Sequence, residues 1–317
     1  MQNISFSDYS RGRLSQERRS FFNHFPIISL PLHCNFIIMN KYAFVFVILL
    51  STGAQGLAQY AQKGWELGAW AGLSHYFGDL NTSFDLSRPG IAGGLSGRYI
   101  FNPRISVGFN ANYGRISADD ARSKNEFERA RNLNFRSNLF EISSQLEFNF
   151  LKYVHGDRDY PFSPYLFGGI SAFGFNPVTE LDGVRYSLRD YGTEGQFFGD
   201  EYSLFQLGLV YGMGVKFDIN TDWSINIELS ARRLFTDYLD DVSGRYPDKD
   251  ELFSLRGPVA VQLSDRSLAE NRELFNIGQA GRQRGNSRDN DSFSFFRVGV
   301  MYYFGYLPCP EILRNVW

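Results

Sequence analysis

The sequence predicts an all-β fold: an eight-stranded antiparallel transmembrane β-barrel of the outer-membrane type, with long loops at one end. Three observations point there. Apolar and polar residues alternate with period 2 in one segment after another, as in strands with two unlike faces. The segments are about ten residues or longer, which is what a tilted strand needs to cross a bilayer. The connections alternate short and long, as they do in a barrel whose two ends face different compartments.

The strands are expected at 65–77, 90–101, 105–115, 139–150, 164–175, 204–218, 223–234 and 293–304. The third is the clearest. Ile105, Val107, Phe109, Ala111 and Tyr113 alternate with Ser106, Gly108, Asn110, Asn112 and Gly114. The seventh sets Trp223, Ile225, Ile227, Leu229 and Ala231 against Ser224, Asn226, Glu228, Ser230 and Arg232. The fifth is apolar on both faces and is assigned from its neighbours. Short connections fall at Asn102-Pro103-Arg104, at 151–163 and at Asn220-Thr221-Asp222; long ones cover 78–89, 116–138, 176–203 and 235–292. Trp65, Tyr99, Phe101, Phe150, Trp223, Tyr302 and Phe304 gather near the short-turn ends, where an interfacial girdle belongs. A secreted lipocalin-like barrel is the soluble alternative. Its water-facing side would carry more Lys and Glu than the Gly- and Ser-rich polar face here.

Composition agrees. The 317 residues hold 31 Phe, 18 Tyr and 31 Gly, with a net charge of −2, so nothing in the charge points to nucleic acid. Residues 39–58, MNKYAFVFVILLSTGAQGLA, have the lysine, short apolar run and small-residue end of a signal peptide. The expected organisation is a misassigned N-terminal extension (1–38), the signal peptide (39–58), the barrel (59–305) and a periplasmic tail (306–317). A cytoplasmic extension ahead of a signal anchor is the alternative for the first part. Cys309 is then the one cysteine of the mature chain, which excludes a disulfide framework.

The polar faces direct Glu66, Arg98, Glu141, Glu147, Lys216, Glu228, Arg232 and Arg297 into the lumen. Eight strands enclose only enough room for side chains to fill. Matched acids and bases there predict an ion-paired, sealed core, whereas one dominant sign would suit a selective pore. Catalysis finds little support. Ser74 and His75 are adjacent in a strand and point to opposite faces, so they cannot form a nucleophile–base pair. His155 lies in the turn HGDRD and reads as solvated. Lys152, His155, Asp157 and Cys309 are candidate contacts for a periplasmic partner. No cofactor is expected.

DYLDDVSGRY (237–246) opens the longest loop. Asp237, Asp240 and Asp241 offer oxygen ligands, but not at the spacing of a calcium-binding EF-hand. An ordered loop corner is the leading reading, and a weak cation site the alternative. The loop beyond it, to 292, is too long for an idle connection.

Four motifs carry a resemblance: YFGDLN (76–81), TEGQ (193–196), DYLDDVSGRY (237–246) and RGNSRDNDSF (284–293). In this order, at the loop–strand junctions of a barrel, the chain from about 59 to 306 resembles the PorG-like outer-membrane barrels of the Bacteroidetes type IX secretion system. The resemblance implies a non-enzymatic outer-membrane component, surrounded by outer-membrane lipids, that associates with a periplasmic ring lipoprotein and its partner. It implies no catalytic residues. A general small pore or ligand-binding barrel, and less so a lipid-modifying barrel enzyme, are the competing functions.

Overall fold

The computed structural model describes residues 62–268 and 276–305. The expected 1–38 extension, the signal peptide and the 306–317 tail with Cys309 lie outside the described residues. Eight strands close a barrel: β1 (Gly64–Phe77), β2 (Gly90–Asn102), β3 (Ile105–Asp119), β4 (Asn134–Asn149), β5 (Phe162–Gly174), β8 (Phe205–Asp218), β9 (Trp223–Leu234) and β10 (Ser292–Gly305). Each is antiparallel to its neighbours, and β1 pairs with β10 from Gly64–Gly305 to Phe77–Ser292, so no barrel edge is left open. A small hairpin, β6 (Pro177–Leu181) and β7 (Val184–Ser187), hangs on the loop end of β4 through Arg136–Val178 and Ser137–Pro177. Among the described residues three short α-helices lie in the loops: α1 (Glu126–Arg131), α2 (Lys249–Arg256) and α3 (Pro258–Ser264).

The alternation read from sequence sets which face is wet. Outward positions carry Ile91, Leu95, Ile142 and Ile170, all at least 65% exposed. An apolar surface that encircles a molecule is stable against lipid and not against water. No helix among the described residues is long and apolar enough to cross a membrane. At the short-turn end Trp65 packs on Tyr99, Tyr99 on Phe101, Trp223 on Tyr302 and Tyr302 on Phe304, with ring centroids 4.6–5.1 Å apart. These outward rings form the interfacial girdle.

Two of the short turns use one device. Asn102 Oδ1 accepts from the backbone N–H of Arg104 (2.9 Å) and Ile105 (3.0 Å). Asn220 Oδ1 accepts from those of Asp222 and Trp223, both at 2.9 Å. An Asn opening each turn therefore replaces the ladder bonds lost at the bend.

The larger hydrophobic cluster sits at the loop end. It runs from Trp70, Phe173, Phe293 and Phe295 up through Leu239, Val242 and Leu263. Trp70 fits in the narrow lumen because its register partners on both sides are glycines, Gly94 and Gly299. A Cβ on Gly94 would stand 2.8 Å from Trp70 Nε1 and 2.3 Å from the Ala111 carbonyl oxygen.

The long connections differ from expectation in one respect. Parts of 116–138 and 176–203 are strand: β3 continues to Asp119, β4 starts at Asn134, and β6–β7 occupy 177–187. The barrel wall thus rises past the apolar belt and carries the loops as a packed cap. Polar outward residues there hid the extension, because the apolar half of the alternation stops where lipid stops.

Candidate functional site

The lumen is filled by charge pairs. Glu66, Arg98, Glu141, Glu147, Lys216, Glu228, Arg232 and Arg297 all point inward and are buried. Arg98 bonds Glu66 directly across the β1–β2 register, and Arg297 bonds Glu228 across β9–β10. Two further ties span the interior. Lys216 Nζ on β8 lies 2.8 Å from Glu147 on β4, whose other close partner is Arg98 Nε at 2.6 Å. Arg232 on β9 reaches Glu141 on β4 at 2.9 Å. The cations also face rings: Lys216 stands 4.6 Å from the Tyr165 centroid and Arg232 4.4 Å from that of Phe295. Each buried charge has an opposite charge and polar neighbours, which is the condition for holding ions out of water.

The 150–161 connection closes the short-turn end, and here the structure corrects the sequence reading. His155 is not in a solvated turn and offers no partner surface; it is 2% exposed. Its Nε2 lies 2.5 Å from Glu66 Oε1, its Nδ1 lies 2.8 Å from Asp218 Oδ1, and its ring stacks on Tyr303 at 4.5 Å. Burial alone would lower its pKa; the carboxylates of Asp218 and Glu66 overcome that and raise it to about 9. The turn folds inward because an imidazolium between two carboxylates completes the ion-pair core. Tyr153 and His155 alternate as buried positions, continuing the strand period, and that was the missed signal. Of the other proposed contacts, Lys152 is exposed beside Tyr160 and Asp157 is half-buried, accepting from the Asp159 N–H.

At the loop end the four sequence motifs converge. Tyr76 Oη lies 2.5 Å from Asp240 Oδ2 and 3.0 Å from Asp291 Oδ1. Asp79 Oδ2 accepts from the Asn286 N–H at 2.8 Å. Thr193 and Tyr202 donate to the two oxygens of Asp241, at 2.5 and 2.8 Å. Glu194 accepts from the N–H groups of Ser243 and Gly244. Arg284 ties the unit together, with Nη1 3.0 Å from Glu194 Oε1 and 2.5 Å from the Asp241 carbonyl oxygen. Arg131, at the end of α1, clasps Asp120 and donates to the carbonyls of Asp79 and Arg284. Arg131 lies outside the four motifs, and although Tyr76 and Arg284 open two of them, nothing in the spacing announces the Tyr76–Asp240 and Arg131–Arg284 contacts, 164 and 153 residues apart in the chain.

Asp237, Asp240 and Asp241 are buried but have different partners. Asp240 faces Tyr76, Asp241 faces Thr193 and Tyr202, and Asp237 lies by Ser243. Among the described residues no group of three or more His, Cys, Asp or Glu side chains is placed to hold a metal ion. Burial pushes Asp241 up to about 6 and Asp237 up to about 7, the latter helped by Asp79 and Glu194. The arrangement is a hydrogen-bonded plug. Ser74 is buried and donates to the Arg115 carbonyl, while His75 is half-exposed on the other face.

Comparison with solved structures gives low identities. Neisserial surface protein A shares 14% identity with a TM-score of 0.38, covering 76% of this chain and 97% of that one. OprG of Pseudomonas aeruginosa shares 12% with a TM-score of 0.38, over 78% and 98%. The attachment invasion locus protein Ail of Yersinia pestis shares 12% with a TM-score of 0.37, over 78% and 100%. No curated protein matches the sequence. Residues 40–260 match the family described as a domain of unknown function, DUF6089, and the chain belongs to that family.

Proposed function

We propose that this protein is a non-enzymatic outer-membrane component of the type IX secretion system that works by protein contact and associates with the periplasmic ring lipoprotein and its partner. One observation carries the reading. The segments behind the resemblance, around Asp79, Glu194, Asp241 and Arg284, are far apart in sequence yet form one buried unit. Motifs that build a single packed cap are a more specific signature than four separate loop fragments. The sealed lumen supports a scaffold over a pore, and Ser74 and His75 on opposite faces supply no nucleophile–base pair. The short-turn end, which we read as periplasmic, carries the exposed Lys152.

The test is an affinity pull-down of the tagged protein from native membranes in mild detergent, read by mass spectrometry. Co-recovery of the ring lipoprotein and its partner is expected. Recovery of the barrel alone, under conditions that keep the ring assembled, would refute the secretion role.

A further inference from the structure

The outer surface of β3 and β4 changes character abruptly toward the loop end. Tyr113 and Phe140 pair across the strands with ring centroids 5.1 Å apart and form the last aromatic row of this face. The next outward row is Arg115 with Asn138, and the one after it Ser117 with Arg136. Successive rows on one face lie about 7 Å apart along a strand, so these guanidinium groups stand at headgroup depth, directly above the hydrocarbon. The β6–β7 hairpin overhangs the same place, with Val178 opposite Arg136. It encloses a groove of about 390 Å³ lined by Arg115, Arg136, Asn138, Phe140, Val178 and Arg185.

The cations of this groove are exposed and lack carboxylate partners. Among the described residues no ion pair within 4.0 Å engages Arg115, Arg136 or Arg185. Arg115 Nε donates to Asn138 Oδ1 at 3.3 Å, which leaves its terminal nitrogens free to face the groove. Glu180 lies opposite Arg185 in the hairpin register without forming an ion pair, and Asp119 is taken by Arg88 at 3.3 Å. Elsewhere in this protein buried arginines are matched to acids; here three arginines share one hollow and none is matched. Guanidinium groups bind phosphate through paired N–H donors, and several around one site suit a phosphate carried by a larger ligand. The floor, Phe140 and Val178, is apolar and runs into the lipid-facing surface through Ile142. A free anion would leave that floor bare.

We propose that this groove seats the phosphorylated headgroup of an outer-leaflet glycolipid, with its acyl chains lying down the Tyr113–Phe140–Ile142 face. The proposal rests on the outer-membrane placement of the barrel. The hairpin then acts as one wall of a lipid site and fixes lipid against the cap.

The test uses the full chain, folded in dodecyl maltoside, with diphosphoryl lipid A as the probe and native mass spectrometry as the readout. Dephosphorylated lipid A with the same acyl chains and sodium phosphate are the comparison ligands. One diphosphoryl molecule is expected to stay bound per barrel. Binding should fall at least tenfold with the dephosphorylated lipid, and likewise in R115Q/R136Q/R185Q; R185Q alone, on the small hairpin, should fall about threefold. Heat-modifiable gel mobility checks that the variants are folded. Equal binding by the triple variant, or by the dephosphorylated lipid, would overturn the proposal. Saturable binding of phosphate alone that displaces the lipid would assign the site to a free anion and overturn the lipid source. Absence of the wild-type protein from the outer-membrane fraction would overturn the placement itself. A correctly placed protein that fails to retain the lipid would overturn only this inference.

Discussion

Glu147 is the hinge of the lumen network, and replacing it tests whether the charges there act as pairs. Its carboxylate meets Arg98 Nε at 2.6 Å and Lys216 Nζ at 2.8 Å, and accepts from Ser106 and Gln145 at 3.1 Å. Glu147→Leu leaves Arg98 with Glu66, but leaves Lys216 without a hydrogen-bonded carboxylate, facing the Ser106 hydroxyl at 3.5 Å and the Tyr165 ring. Lys216 is 1% exposed, so its charge cannot turn to water. Breaking a buried pair from one side costs about 3–5 kcal/mol, and that is the expected loss. Lys216→Met is milder, because Glu147 keeps Arg98, Ser106 and Gln145; about 1–3 kcal/mol is expected. In Glu147→Leu/Lys216→Met the stranded ammonium is gone. The double variant should therefore be more stable than the sum of the single losses predicts, by about 2 kcal/mol. Equilibrium urea unfolding in phospholipid vesicles, followed by Trp fluorescence, measures all four corners of this cycle. Losses that add within about 0.5 kcal/mol would refute the pairing, and would mean that water reaches Lys216 through the lumen.

Two more predictions concern the ends of the barrel. His155 has its pKa raised from 6.5 to about 9, so its contribution is complete below pH 6.5 and is lost as pH rises through 9. Relative to His155→Gln, the wild type should lose on the order of 3 kcal/mol between those limits; parallel stability curves for the two proteins would show that His155 is not charged in the fold. Arg284→Met removes the bonds to Glu194, to the Asp241 carbonyl and to the Ser264 carbonyl. Trypsin should then cut within 235–292 while heat-modifiable mobility of the barrel is unchanged, and protection equal to wild type would mean that the cap is held by its apolar contacts alone.

The sequence revealed most about strands and least about what the loops do. Period 2 located seven of the eight barrel strands, the fifth (164–175) being assigned from its neighbours, and it grouped Glu66, Arg98 and the other lumen charges on the polar face, because in a strand the side-chain direction alternates with parity. It said nothing of pairing. Glu66 and Arg98 are opposite one another only because of the β1–β2 register, and Arg232 meets Glu141 across three strand boundaries. His155 was misread for a related reason. A His followed by Gly and three charged residues looks like a surface turn, and its burial is decided by Glu66 and Asp218, 89 and 63 residues away in the chain. The cap was legible as motifs but not as a unit. The hairpin at 177–187 was not seen at all, since four- and five-residue strands with mixed polarity carry little periodic signal.

The cap differs from the lumen in one physical respect: among its described residues the buried acids outnumber the buried cations. Asp79, Asp237, Asp240, Asp241, Asp291 and Glu194 converge on Arg284 and Arg131, and Arg131 also holds Asp120. The geometry shows how some of that charge is removed. One Tyr76 hydroxyl faces carboxylate oxygens of both Asp240 and Asp291, yet it has a single proton to donate. The second contact needs a proton on one of the acids. Burial raises Asp240 and Asp291 well above the usual carboxylate range, with Asp79 adding to both, and burial raises Asp79 to about 6. An acid whose folded pKa is raised favours the fold most at low pH. That stability is complete below about pH 4 and is lost as pH climbs through the folded values, from about 6 upward. The cap should accordingly loosen between pH 5 and pH 8, seen as faster trypsin-independent hydrogen exchange over 237–246 and 284–291. Asp240→Asn supplies a permanently neutral partner for Tyr76 and should flatten that dependence, being no less stable than wild type at pH 8. An exchange profile that is independent of pH in the wild type, after correction for the intrinsic rate, would mean that the excess acids are neutralised by something other than protons.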